Sequence, residues 1–283
     1  MTSLKEIINM ELSLTGKEAL ICGSTQGIGL AIAKELALLG ANCTLLARNE
    51  TALQQSVLQL AKTTGQEHRY RVADFQYPEQ VKEIIAEHTK HFPVHILVNN
   101  TGGPAPGPIT EATEEQFMRA FQQHIICNQL LTQAALPSMK SAQFGRIINI
   151  ISTSVRIPLK NLGVSNTIRG ATASWAKTMS NEVAQYGITV NNILPGFTKT
   201  SRLNSLVLQI ANDMKLTPET IAKDMEAEVP AKRFGEAHEI AAVAAFLASP
   251  AASYVNGVSI PVDGGRTGRT ISESRQPRGS CAA

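Results

Sequence analysis

Gly23-Ser24-Thr25-Gln26-Gly27-Ile28-Gly29 follows a short apolar run, Ala19-Leu20-Ile21-Cys22, and opens a helical pattern over residues 28–39 that stops at Gly40. Glycines permit a tight turn and let backbone come close to a diphosphate. The helix that follows offers unpaired N–H groups and a partial positive charge. A glycine cluster alone is common in loops. Strand, turn, helix and second strand in this order read as a dinucleotide-binding turn, with a purely structural turn as the alternative.

Outward from this turn, apolar runs alternate with helical patterns. Residues 42–47, 69–73, 96–98, 146–151, 188–193 and 258–262 read as further strands. Helices are expected over 50–62, from Pro78, from just after Thr113 to about Lys140 with Gln116 completing a capping box, over 165–185, and over 236–248. This alternation predicts an α/β fold, a Rossmann-type doubly wound parallel sheet with helices on both faces and ligands at the carboxyl ends of its strands. Residues 197–232 fall outside the alternation. Their apolar positions Leu203, Leu206, Val207, Ile210 and Met214, and a helix start at Thr217-Pro218, fit either two surface helices on the core or a helical cover over a substrate pocket.

The bulk composition excludes several classes. Residues 1–11 form a short extension, 12–265 a single domain, and 266–283 a solvated tail with four arginines and one glutamate. A net charge of +3 is too small to argue for nucleic acid or an acidic membrane surface. No run of eighteen apolar residues suggests a membrane span, and the charged start is unlike a secretion signal. Cys22, Cys43, Cys127 and Cys281 are widely spaced, without a C-x-x-C. They read as reduced thiols of a cytoplasmic protein, neither a disulfide frame nor a metal site.

The second strand ends at Ala47-Arg48, where an acidic residue would hold the adenosine ribose of NAD. A guanidinium suits a 2′-phosphate, which favours NADP over NAD; the alternative is a solvated arginine. Asp74, ending the third strand, is placed either to accept from an adenine amino group or to cap the next turn.

Further motifs follow the later strands: Asn99-Asn100-Thr101-Gly102-Gly103, Asn149-Ile150-Ile151-Ser152, Asn191-Asn192-Ile193-Leu194-Pro195-Gly196 and Val262-Asp263-Gly264-Gly265. Together with the glycine turn they resemble the short-chain dehydrogenase/reductase family over roughly residues 12–265. The NNTGG form and the segment at 165–169 look like a divergent subgroup resembling 3-oxoacyl-carrier-protein reductase-like proteins. The resemblance implies one domain with a seven-stranded sheet, NAD(P) across the strand ends, a small-molecule substrate, and a homo-oligomer, commonly a tetramer. It places Gly23, Ser24, Gln26, Gly27, Ile28 and Gly29 at the cofactor phosphates, and Asn100 and Gly102 near the ribose. Pro195, Gly196 and Thr198 fall near the nicotinamide, and Ser152 at the substrate carbonyl.

The resemblance fails at the proton-handling residues. Where the family has Tyr-x-x-x-Lys, this chain has Ser165 and Arg169; where it has a helical asparagine, this chain has His124. Ala176-Lys177-Thr178 fixes the register, and none of the four tyrosines aligns with the site. A phenol ionises near pH 10, whereas a serine hydroxyl resembles water at roughly 15.7. The gap of about 5–6 units costs roughly 7–8 kcal/mol if Ser165 must ionise unaided.

Two rescues follow from the residue chemistry. His124 is a candidate general acid, since imidazole titrates near neutrality, or else a packed histidine. Arg169, helped by Arg156, is a candidate for binding a substrate carboxylate or phosphate, or else takes lysine's contact to the cofactor ribose. Ser165 has the plain alternative of capping its helix. The chain thus reads as an NADP-dependent oxidoreductase with an altered site. The alternatives are a silent dinucleotide-binding protein and a non-redox lyase or isomerase that uses Arg169 to stabilise an enolate.

Overall fold

In β1 (Glu18–Cys22), Ala19 and Ile21 enter one hydrophobic cluster while Leu20 and Cys22 enter another. A strand buried on both faces has no polar alternation, which is why these runs are apolar throughout. The computed structural model describes residues 10–268. Residues 1–9 of the expected extension, residues 269–283 of the expected tail, and Cys281 lie outside the described residues.

The chain runs from β1 through α1 (Gly27–Leu38), β2 (Asn42–Ala47), α2 (Glu50–Val57), β3 (Arg69–Val72), α3 (Pro78–His91) and β4 (Ile96–Asn99). It continues through α4 (Glu114–Phe121), α5 (Cys127–Ala142), β5 (Gly145–Ile150), α6 (Gly163–Val183) and β6 (Ile188–Pro195). Last come α7 (Ser201–Met214), α8 (Pro218–Glu228), α9 (Ala237–Ala248) and β7 (Ser259–Val262). The seven strands form one sheet in the order β3-β2-β1-β4-β5-β6-β7. Every pairing is parallel.

Helices α1, α2 and α9 cover one face through Ile32, Leu36, Leu53, Ile240 and Leu247. Helices α3, α5 and α6 cover the other through Val81, Ile85, Leu131, Met139, Ala176 and Val183. Each large buried side chain contributes roughly 1.5–3 kcal/mol. Strand order reverses between β1 and β4, and that reversal opens a crevice at their carboxyl ends. Among the described residues no helix is long and apolar enough to cross a membrane.

Four local expectations need correction. The helix expected over 50–62 ends at Val57, because tighter turns at Gln59 and Leu60 carry Leu60 into the core. The long helix after Thr113 has its Thr113–Gln116 capping box but is interrupted by a π turn at Gln122–Ile126 before resuming as α5. Helix α6 starts at Gly163, so Ser165 lies inside it and its side chain caps nothing. The tail does not begin at residue 266: Arg266–Gly268 form a 3-10 turn, with the Arg266 guanidinium 4.3 Å from the Phe197 ring centroid.

The two helices after β6 form a small cluster of their own through Leu203, Val207, Ala211, Ile221 and Met225. Leu203 and Leu206 also wall the crevice. They pack chiefly on each other, and α7 alone of the two borders the cleft.

Candidate functional site

Backbone conformation makes the turn after β1. Gly23 and Gly27 have φ of +57° and +54°, values that side chains rarely tolerate. A Cβ on Gly29 would stand 2.2 Å from the Gly23 carbonyl oxygen. Asn100 Nδ2 donates to the carbonyls of Cys22 and Gly23, both at 3.2 Å, and so ties β4 to the turn. Helix α1 has no side-chain cap and no acidic residue in its first turn, which leaves its N–H groups and dipole directed at the crevice.

The crevice is a cleft of about 810 Å³. Gly23, Gln26, Gly27, Ile28, Arg48, Asp74, Asn100, Gly102, Ser152, Ser165, Arg169, Pro195, Gly196 and Thr198 all line it. Ser24, Gly29 and His124 do not. Ser24 is fully buried with an unpartnered hydroxyl, and Gly29 is the packing surface beneath the turn.

At one end, the exposed Arg48 makes no ion pair or hydrogen bond with another described residue. Asp74 makes the turn contact, its Oδ1 accepting from the Gln76 N–H at 2.9 Å, and it also lines the cleft.

At the other end, a ladder of side-chain amides aligns the strand ends. Asn99 donates to Asn149 and Asn149 to Asn192, both at 2.9 Å, and Asn192 donates to Ser259 at 3.1 Å. Ser152 leaves β5 extended and its Oγ accepts from the Ser154 N–H at 3.0 Å. Ser165 is buried, faces the cleft, and makes no hydrogen bond through its hydroxyl among the described residues. Thr198 donates to the Gly196 carbonyl at 3.1 Å.

Arg169 is 8% exposed and donates through Nη1 to the Ile150 carbonyl at 3.1 Å. No carboxylate among the described residues pairs with it. Burial, then the charge of Arg202, brings its pKa down to about 10, so it remains a cation at neutral pH. Arg156, its expected helper, is exposed and donates to the Ser259 carbonyl outside the cleft lining. Arg202 on α7 occupies that place instead. It donates to the carbonyls of Gly103 at 3.1 Å and Pro104 at 3.2 Å, and lines the cleft. Sequence reasoning missed Arg202 and Arg119, a second additional cleft arginine; both sit on helices whose facing only the tertiary fold decides.

His124 sits in the π turn, 2% exposed. Nδ1 lies 2.6 Å from Thr101 Oγ1, and Nε2 is buried without a hydrogen-bond partner among the described residues. Burial, then the charges of Arg169 and Arg202, holds its pKa well below 6.5. It is a neutral imidazole that does not line the cleft itself but meets Thr101, which does. All four tyrosines are described, and none lines the cleft. No cluster of His, Cys, Asp or Glu among the described residues could hold a metal.

A parallel sheet with a glycine turn and a cleft at its switch point defines the dinucleotide-binding class of α/β proteins. A family model described as enoyl-(acyl carrier protein) reductase matches residues 23–267. A tropinone reductase homologue of Arabidopsis thaliana is 33% identical over 90% of this chain and 91% of its own length. The 3-oxoacyl-[acyl-carrier-protein] reductase of Vibrio cholerae is 34% identical over 90% of this chain and 98% of its own length. The L-sorbose reductase of Gluconobacter frateurii, solved with NADPH and L-sorbose, superimposes with a TM-score of 0.86 at 30% identity. That match covers 92% of this chain and all of the other. The chain belongs to the short-chain dehydrogenase/reductase family, whose members are oxidoreductases acting between CH–OH and C=O with NAD(P).

Proposed function

We propose that this protein is an NADP(H)-dependent oxidoreductase for a small, anionic carbonyl or alcohol substrate, working without the family's Tyr–Lys pair. One observation supports it above others: the cleft that holds the glycine turn is lined by Arg48, Arg119, Arg169 and Arg202 against a single carboxylate, Asp74. Such a balance suits a ligand with several negative charges.

The cradle suits a dinucleotide, since Gly23 and Gly27 hold left-handed backbone in the turn and Cβ atoms at Gly23 or Gly29 would strike the backbone that shapes it. Gly23, Gln26, Gly27 and Ile28 would hold the diphosphate against the α1 N-terminus, with the buried Ser24 and Gly29 shaping the turn. Arg48 would hold the 2′-phosphate and Asp74 the adenine side. Asn100, Gly102 and Arg169 would border the ribose; Pro195, Gly196 and Thr198 would border the nicotinamide. When bound, the dinucleotide supplies or accepts the hydride.

Ser152 offers a hydroxyl to the substrate oxygen. The fixed charge of Arg169 stabilises negative charge developing there in low dielectric. Ser165 supplies a further hydroxyl, through which a proton can pass from water in the open cleft. His124, being neutral, serves better as a fixed hydrogen-bonding partner of Thr101 than as an acid. Dimers or tetramers, as the family commonly forms, have apolar surface available at Met118, Phe121 and Ile126. A cytoplasmic site suits the buried free thiols of Cys22, Cys43 and Cys127.

The test is NADPH consumption with a panel of oxo acids and matched neutral ketones. Turnover of oxo acids is expected. NADPH binding without turnover of any carbonyl would replace this reading with a silent dinucleotide-binding protein, which the absence of any phenol from the cleft favours.

A further inference from the structure

A Cβ added to Gly103 would stand 2.7 Å from Arg202 Nη2 and 3.3 Å from Arg169 Nη2. The two guanidinium groups therefore come within about 6 Å of each other, a spacing at which like charges repel. Neither has a carboxylate partner among the described residues. Arg169 is buried, while Arg202 lines the cleft from an exposed position, with partial desolvation lowering its pKa. A buried cation without a counter-ion, with a second cation beside it, works against folding unless something negative arrives.

We propose that Arg169 and Arg202 form a two-sided clamp for a substrate carboxylate, with Arg202 as the residue that selects oxo acids over neutral carbonyl compounds. This rests on the oxidoreductase reading above and narrows its substrate class. The guanidinium of Arg169, anchored to the carbonyl that ends β5, fixes one side of the clamp. Arg202 supplies the other from the first turn of α7, where the helix dipole adds positive potential. Planar guanidinium groups match the two oxygens of a carboxylate, each contact being a charge-assisted hydrogen bond.

A purely mechanical role for Arg202, latching α7 to the loop after β4, leaves its charge unexplained. The carbonyls of Gly103 and Pro104 need only N–H donors. A glutamine amide supplies such donors without a charge. The diphosphate is a second candidate for the same cation, and binding measurements separate it from a substrate carboxylate.

The experiment compares the full-length protein with Arg202→Gln. Three measurements are made: NADPH affinity by fluorescence titration, the ratio of kcat/KM for a 2-oxo acid to that for its methyl ester, and the thermal shift that oxamate produces on the NADPH-loaded protein. In Arg202→Gln, NADPH affinity is expected to stay within about twofold, while the acid-to-ester ratio falls roughly 30-fold, mostly through KM. The oxamate shift is expected in the wild type and lost in the variant. Arg202→Lys, which keeps the charge but not the fork, is expected to recover part of both.

Loss of NADPH binding in Arg202→Gln would assign the arginine to the cofactor phosphates and overturn the clamp. An unchanged acid-to-ester ratio would overturn it too, with the oxidoreductase reading intact. If the wild type turns over no carbonyl at all, that reading fails, and oxamate decides the clamp separately: a shift lost in the variant sustains it, and no shift in the wild type refutes it.

Discussion

Gly29 packs directly on Gly23: a Cβ on the helix glycine would lie 2.2 Å from the turn glycine's carbonyl oxygen and 2.6 Å from Asn100 Nδ2. The nearest obstacle is backbone, which cannot swing away. Gly29→Ala is therefore expected to push the turn from β1 and to cost about 1–3 kcal/mol of stability. NADPH affinity should fall with it. Gly170→Ala is the contrast, since its Cβ would meet nothing within 4 Å on helix α6. It is expected to gain about 0.5–1 kcal/mol. Thermal unfolding and NADPH titration of both variants check the pair; equal effects would mean that the close approach does not govern the turn.

Arg48 offers a free guanidinium at the end of β2. A phosphate bound there gains charge-assisted hydrogen bonds worth about 1.5–3 kcal/mol, or roughly 10- to 100-fold in affinity. Arg48→Glu removes that gain, repels a 2′-phosphate, and offers acceptors to ribose hydroxyls. The expected outcome is a reversed ratio of NADPH to NADH affinity. An unaltered ratio would show that the guanidinium is merely solvated.

His88 on α3 is 2% exposed, stacks on Phe92, and leaves Nδ1 unpartnered. Burial, then the charges of Arg71 and Arg69, lowers its pKa from 6.5 to about 4. Below 6.5 the unfolded chain binds a proton that the folded chain refuses. Stability should therefore fall as pH drops from 6.5 toward 4, and His88 should add no further slope below that. His124 acts in the same direction. Unfolding midpoints measured from pH 7 to 4 are expected to decline less steeply in His88→Met than in the wild type.

Short-range chemistry was legible in the sequence; facing was not. The turn at Gly23–Gly29, the Pro78 helix start and the Thr113–Gln116 box depend on neighbours a few residues away, and each stands where the local pattern puts it. Arg202 contacts a carbonyl 99 residues earlier, so no local pattern marks it. Arg156 follows Ser152 closely in sequence but not in facing. The 3-10 turn at Thr153–Val155 precedes it, and its guanidinium instead meets the Ser259 carbonyl. The π turn that carries His124 is invisible in a 3.6-residue pattern, because it shifts the helix register without changing residue type. Position 165 was misjudged as a helix start because serine favours caps; Gly163 and Val164 take the first turn instead.

Ser165 and Arg169 stand four residues apart on α6, both buried and both lining the cleft. Side chains at that spacing share a helix face. Replacing them together, Ser165→Tyr with Arg169→Lys, would place a phenol and an ammonium where the family keeps its acid. The phenol is a far better proton donor than serine, and the lysine charge lowers its pKa further. A well-placed general acid is worth roughly 10²–10⁴-fold in rate. The double variant is expected to reduce neutral ketones at least about 100-fold faster than the wild type. It should also lose preference for oxo acids, because an ammonium cannot hold a carboxylate through two parallel bonds. Ser165→Tyr alone should gain less, since Arg169 would keep its own bond to the Ile150 carbonyl. Rates for a neutral ketone and an oxo acid across the four proteins of this cycle decide the matter, with NADPH titration confirming that each still binds. A folded, NADPH-binding double variant with no gain on neutral ketones would mean that position 165 does not face the reacting carbonyl.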